Sequence, residues 1–439
     1  MKIKKLLGTL AVGTAMLTIA GTASAASLEA NIFGSSAQYT FWNSQAVSYI
    51  NSQSGCSGAA VQKTYDSHNA VTFATCGGNT YIIRVSSTAS FDGILALNGD
   101  DSKASLAASS PSPSPKCTST SGGSSYPGST LEGYYRLMVD ETSCGGATCS
   151  ALKCERVNVA ASDVAGASFT QFSSGTTDGP QGGAEMTMSF TGIDTTALTT
   201  NPTIIVPFQF YVNQDVTNSS TGTGTNKTMS NMTRAMAVLL FSGKIMDWNW
   251  FGPEFPDLPV VVCMRHAGSG TLATLQYAVV GGNGWGGSLM GYENNPNVTT
   301  GSNAYNSSAP IFYFNNSTSD MEYCVNSQAG AVGYFDADKI VGGSTDGTNG
   351  IPKGYPNARG VAYQGEYPTA DSVTNNRYDF WTNEQAYMNL SDPALTGAEL
   401  TFINGLLACN TIPTAEQPFW VLQGAPNYTK STDQAYLGN

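Results

Sequence analysis

Four short stretches of this sequence set hydroxyls, glycines and single charged side chains where a β-branched run gives way to an amphipathic one. They are Asn31-Ile-Phe-Gly-Ser-Ser-Ala37, Ile83-Arg-Val-Ser-Ser-Thr-Ala-Ser90, Val157-Asn-Val-Ala-Ala-Ser-Asp163 and Val262-Cys-Met-Arg-His-Ala-Gly-Ser-Gly-Thr271. At a strand-to-helix junction a Ser or Thr oxygen caps the helix, and Gly lets backbone N–H groups approach a ligand closely. Each such junction is a partial positive charge with free donors, so it holds an anion without a cluster of lysines. Taken singly, each is also what any capped helix after a strand looks like.

Other chemistries have less support. The chain has two histidines, His68 and His266, and no Gly-x-Ser-x-Gly elbow; Gly268-Ser-Gly-Thr271 has the wrong spacing for a hydrolase nucleophile. No catalytic residue is therefore assigned and no enzyme activity is expected. His266 is expected to face solvent. Cys144-x4-Cys149-x4-Cys154 lacks the usual metal spacing and has no nearby His, so no metal and no cofactor are expected. Charged residues are 11% of the chain and the net charge is −12 without a basic run, which argues against nucleic acid as a partner because counterion release needs clustered Lys and Arg.

The first twenty-five residues carry Lys2, Lys4 and Lys5, then an apolar stretch from Leu6 to Ala20, then Ala23-Ser-Ala25, the pattern of a secretory signal peptide. Its removal takes three lysines and no acid, leaving sixteen cations against thirty-one acids, or −15. No later run approaches the twenty apolar residues of a membrane span, so a soluble periplasmic or secreted protein without membrane insertion is expected. All nine cysteines lie in the exported part, where disulfides are the default and an odd count leaves at least one thiol unpaired. The pairing stays open.

The elements that must position the four junctions read as an α/β fold. Tyr81–Val85, Val157–Val159, Thr203–Pro207 and Pro259–Cys263 read as strands, and Met232–Phe241 and Thr271–Val280 as helices covering mostly parallel sheets. Ser102–Ser129 is dominated by Ser, Pro and Gly and reads as an exposed loop, and the whole insertion around it, from about 99 to 154, is expected to be exposed.

Ordered wording along the chain adds to this. Phe241-Ser-Gly-Lys-Ile-Met-Asp-Trp-Asn249, Leu258-Pro-Val-Val-Val262 and Arg265-x-x-Gly-Ser-Gly-Thr271 resemble the GKI-x-x-WN and R-x-D-G-S-G-T segments of the periplasmic phosphate-binding proteins of phosphate ABC importers. Ala161-Ser-Asp163 resembles that family's ASDAP turn. Ile205-Val-Pro207 and Gly330-Ala-Val-Gly-Tyr334 resemble its two crossings between lobes, and Val361–Thr369 through Phe380-Trp381 its later segment. The resemblance runs from Asn31 to Trp381, interrupted by the insertion. Ala267 stands where the family has an acid, and the first turn lacks the family's proline pair.

The resemblance implies a two-lobed type II periplasmic-binding-protein fold with two hinge crossings that closes on its ligand. Lobe one would comprise 26–206 plus 336–439, and lobe two 207–335. Ser35, Ser36 and Ala37 would donate from the first helix start, Ser86, Ser87 and Ser90 from the second, and Ser162 with Asp163 would line the third. Arg265 would make the bidentate cationic contact, with Ser269, Gly270 and Thr271 donating from the fourth. An ionised Asp163 only accepts hydrogen bonds, so it would favour phosphate, which carries a proton near neutral pH, over sulfate, which does not. The implied function is capture of phosphate or a related oxyanion by a monomer that delivers it to membrane ABC transporter subunits. The alternative is a secreted structural or interaction protein that retains the fold.

Overall fold

The computed structural model describes residues 26–100, 117, 133–220, 222, 227–281, 287–299, 304–340, 350–395, 397–427, 430 and 432–433. The signal peptide and most of the Ser/Pro-rich stretch lie outside the described residues. The chain opens with β1 (Ala26–Gly34), α1 (Tyr39–Ser52), β2 (Val61–Thr64), β3 (Asn69–Cys76), β4 (Asn79–Ser87) and α2 (Ser90–Asn98). A second group follows: β5 (Tyr135–Val139), β6 (Cys144–Gly145), β7 (Thr148–Cys149), β8 (Leu152–Arg156) and β9 (Val159–Ser162). Next come the hairpin β10 (Phe172–Thr176) and β11 (Glu185–Ser189), the long β12 (Thr199–Asn213), β13 (Asn231–Met232), α3 (Arg234–Phe241) and β14 (Val261–Arg265). The remainder is α4 (Gly270–Thr274), which continues as a π-helical turn over Leu275–Val280, then β15 (Ile311–Asn315), α5 (Thr318–Ser327) and β16 (Ala331–Asp336). Last are β17 (Ala358–Tyr363), α6 (Ala370–Thr374), β18 (Trp381–Met388), α7 (Gly397–Leu407) and β19 (Val421–Leu422).

Local sequence accounts for these elements. In α1 the residues Phe41, Trp42, Gln45, Ala46 and Ile50 recur at helical spacing and are buried on one face. Strand β4 is buried continuously from Tyr81 to Ser87, as befits a strand covered on both faces. Thr233 caps α3 by accepting from Met236 N–H, and Ser317 with Asp320 forms a capping box at the start of α5. Such caps stabilise a helix by about 1 kcal/mol each.

The strands join one large sheet in the order β15-β14-β16-β12-β18-β9-β1-β4-β3-β2-β7-β6. Parallel pairing builds two regions, β4-β1-β9 and β15-β14-β16, from strand-helix-strand units, and recurs in the short contacts β13–β17 and β2–β7. The expectation of mostly parallel sheets is corrected here. β12 runs back through the middle and pairs antiparallel with β18 through residues 199–207, then with β16 and β17 through residues 208–213. Two segments that the sequence assigned to lobe one, β17 and the β10–β11 hairpin, pack with the second half of the sheet: β17 pairs β12, and the hairpin is bridged at Ser174–Tyr292 and Asp178–Asn315.

The insertion is only partly the exposed loop expected of it. Its described second half forms the β5–β8 hairpin, with Met138, Val139 and Cys154 buried. Arg84 of β4 explains why: its guanidinium, fully buried, pairs with Glu29 at 2.6 Å, Glu141 at 2.5 Å and Glu155 at 3.1 Å, pinning the hairpin to the sheet. Disulfides join Cys56–Cys76, Cys117–Cys154, Cys144–Cys149 and Cys263–Cys324, and Cys409 is the free thiol. No described helix is long and apolar enough to cross a membrane.

Candidate functional site

Asp163 stands at the centre of the four junctions. Strand β9 ends at Ser162, whose hydroxyl donates to Val164 O at 2.7 Å and so closes a tight turn that turns Asp163 inward. The Asp163 carbonyl accepts from the Thr382 hydroxyl of β18, and the residue is 2% exposed. Its carboxylate gathers one hydroxyl from each of the other three junctions. Ser35, after β1, and Ser90, the first residue of α2, both donate to Oδ1, the latter at 3.0 Å. Thr271 of α4 donates to Oδ2 at 3.3 Å. Oδ1 thus has two donors and Oδ2 one, which leaves Oδ2 capacity for another proton.

Two glycines make this convergence possible. Gly34 has φ +136°, and a Cβ there would lie 2.1 Å from Ala161 O, which accepts from Ser35 N–H at 2.8 Å. Gly270 packs directly on Asp163, where a Cβ would come within 2.5 Å of the aspartate Cβ. Ser269 caps α4 through Leu272 N–H at 3.4 Å. The third junction departs from the expected pattern, since Asp163 leads into a single 3-10 turn, Gly166–Ser168, rather than an α-helix.

Arg265, at the end of β14, is 3% exposed. Its guanidinium donates to Asn316 O at 2.8 Å and Thr318 Oγ1 at 3.2 Å, and its Nε, buried, has no partner among the described residues. Among the described residues four arginines are buried: Arg84, Arg136 and Arg234 each pair with a carboxylate, and Arg265 pairs with none. Leaving a buried cation without an anion is costly, so the site is electrostatically poised for one. Burial lowers the Arg265 pKa, opposed chiefly by Tyr334, Asp336 and Asp163. Burial raises the Asp163 pKa, and the Ser35 and Ser90 hydroxyls, Arg265 and Thr271 pull it back down. Asp336, at the end of β16, is pushed up by burial despite Lys339.

The other residues singled out from sequence are placed as follows. Ser36 is half-buried and its carbonyl accepts from Tyr39 N–H, while Ala37 lies in the core beneath α1. The Ser86 hydroxyl is buried and unpartnered among the described residues. Ser87 engages His68, and Ser162 is committed to its own turn. His266 does not face solvent. It is 3% exposed, stacks on Phe314, and has Ser173 Oγ at 3.0 Å from Nδ1 and Thr176 O at 2.9 Å from Nε2. Nε2 must donate to that carbonyl, so Nδ1 accepts and the ring is neutral; burial lowers its pKa to about 4. Sequence reasoning missed Thr382, Asn316, Thr318 and Glu384, whose proximity depends on strand register rather than on motif.

Among the described residues no group of three His, Cys, Asp or Glu is arranged to hold a metal ion. No protein-family model matches the chain, and no curated protein does. Solved structures it is similar to include phosphate-binding proteins. They include an ABC-type phosphate transport receptor from Vibrio cholerae, at 15% identity and TM-score 0.40, over 86% of this chain and 93% of that one. The ancestral soluble variant of the human phosphate binding protein is 14% identical at TM-score 0.42, over 86% and 84%. A phosphate binding protein from Stenotrophomonas maltophilia is 12% identical at TM-score 0.40, over 88% and 86%. Likeness at this level leaves what this chain binds to be decided by its own residues, which form an α/β fold with one large central sheet.

Proposed function

We propose that this protein is an extracytoplasmic solute-binding protein that captures phosphate, or a closely related protonated oxyanion, at the Asp163–Arg265 site. The observation that carries the reading is the pairing of a buried, carboxylate-free Arg265 with an Asp163 that collects hydroxyls from three separate junctions. Arg265 supplies the single full positive charge. The Gly270 and Thr271 backbone N–H groups and the Ser269 hydroxyl supply neutral donors, the Ser35, Ser90 and Thr271 hydroxyls hold the Asp163 carboxylate in place by donating to it, and Asp163 accepts the ligand's own proton through Oδ2. A ligand without a proton leaves that carboxylate facing an anion, at a cost of several kilocalories per mole, roughly the penalty for an unmatched buried charge.

On this reading the two halves of the sheet are the lobes, β12 and the chain between β17 and β18 are the crossings, and the ligand is handed to an ABC importer by a monomer in the periplasm or outside the cell. Binding rather than catalysis is favoured by His266, which is sealed inside and fully hydrogen-bonded. Thermal melting of the mature chain with added phosphate tests it. Phosphate at a hundredfold excess over the dissociation constant stabilises a binder by about 2.7 kcal/mol. A melting temperature that no oxyanion moves would sink the reading.

A further inference from the structure

Glu384 is a fully buried carboxyl near this site whose two oxygens have no hydrogen-bond partner among the described residues. It lies on β18 two residues from Thr382, which reaches Asp163 O, so the two side chains share a face of the strand. The β18–β9 register pairs Gln385 with Ser162 and Ala386 with Ala161. The ladder ends there, so Glu384 sits beside the turn that carries Asp163, close enough for the Asp163 charge to act on it. Glu384 is 0% exposed, and neither carboxyl oxygen has a hydrogen-bond partner among the described residues. The Gln38 amide beside it donates instead to Ser162 O and Gln385 O, both at 3.1 Å. A sheet built for stability alone would hold an apolar residue here, because a buried carboxyl without partners costs free energy and contributes nothing.

We propose that Glu384 is a specificity-determining residue of the oxyanion site, its carboxyl O–H donating a hydrogen bond to an oxygen of the anion that Asp163 and Arg265 hold. This rests on the reading of that site as an oxyanion site and adds a second carboxyl with the opposite role. Asp163 takes the ligand's proton, and Glu384 gives one to an unprotonated oxygen. Burial raises the Glu384 pKa; Asp163, Asp336 and Asp433, the acids that face it, push the same way, and the Gln38 side chain pulls it back. Arg265 acts on Asp163 and Asp336 in turn. Burial and the acids facing Glu384 both favour its protonated form, the form that can donate, and the group loses that role when it ionises.

Calorimetric titration with inorganic phosphate from about pH 6 to about pH 9 tests this in the parent, Glu384→Gln and Glu384→Leu, since a titrating donor shows itself in the pH profile. Glutamine keeps a donor that does not titrate. Glu384→Gln is expected to match the parent within about threefold near neutrality and to retain roughly tenfold more affinity at the alkaline end. Glu384→Leu is expected to bind about tenfold to a hundredfold more weakly while melting no lower than the parent. If both variants bind as the parent does at every pH, Glu384 has no contact with the ligand and the proposal falls while the Asp163 site stands. If the parent itself binds no phosphate, the site reading falls and this proposal with it.

Discussion

At the scale of single residues, charge scarcity makes each buried ion informative. Arg265 is the buried guanidinium that no carboxylate among the described residues neutralises, so Arg265→Gln should weaken phosphate binding by about tenfold to a hundredfold, the range for a charge-assisted hydrogen bond, with little loss in melting temperature. Calorimetry beside thermal melting would separate the two effects. His266 gives a pH signature unrelated to the ligand. Its folded-state pKa of about 4 lies below its ordinary 6.5, so the unfolded chain binds more protons between those values. Stability from this group is complete above pH 6.5 and drains away as the pH falls toward 4, at about 1.4 kcal/mol per unit. Denaturant unfolding at a series of pH values should show that slope in the parent and its loss in His266→Asn. The sequence exposed Asp163 and Arg265 through their motifs. It hid His266 and Glu384, because a histidine's burial and a strand's register are set by neighbours far along the chain, such as Ser173 and Thr176 for His266.

At the scale of elements, the site depends on how strands hand the chain to helices. The disulfide Cys263–Cys324 ties β14, which ends in Arg265, to α5, whose first residue Thr318 accepts from that guanidinium. Its sequence separation of 61 gives a chain-entropy contribution of about 4 kcal/mol. Replacing both cysteines with serine should lower the unfolding free energy by up to that amount in chemical denaturation and should weaken phosphate binding as well. Gly34→Ala should do more harm than its size suggests, because a Cβ at φ +136° meets Ala161 O at 2.1 Å. The turn that delivers Ser35 to Asp163 would have to shift, and both melting temperature and phosphate affinity should fall. The strand and helix segments were legible from β-branched runs and helical spacing, to within a few residues. Strand direction was not, because the reversal of β12 between two half-sheets is a long-range choice that local periodicity does not encode.

For the whole molecule, a chain with 11% charged residues and a net charge of −12 binds an anion on this account with neutral dipoles and one guanidinium. Its other buried arginines serve the architecture, as when Arg84 draws Glu29, Glu141 and Glu155 together to anchor the hairpin of the insertion. That hairpin was read from sequence as exposed because its ion pairs and disulfide partners lie apart in the chain. The central claim is that Asp163 selects a protonated oxyanion inside a site made by four converging junctions. Isothermal titration of the parent and Asp163→Asn with phosphate and with sulfate tests it most directly. The expected result is that the parent binds phosphate at micromolar or tighter concentrations and ignores sulfate, while Asp163→Asn, whose amide can donate, takes up sulfate. A parent that binds neither anion, or an Asp163→Asn variant that excludes sulfate as completely as the parent, would contradict it.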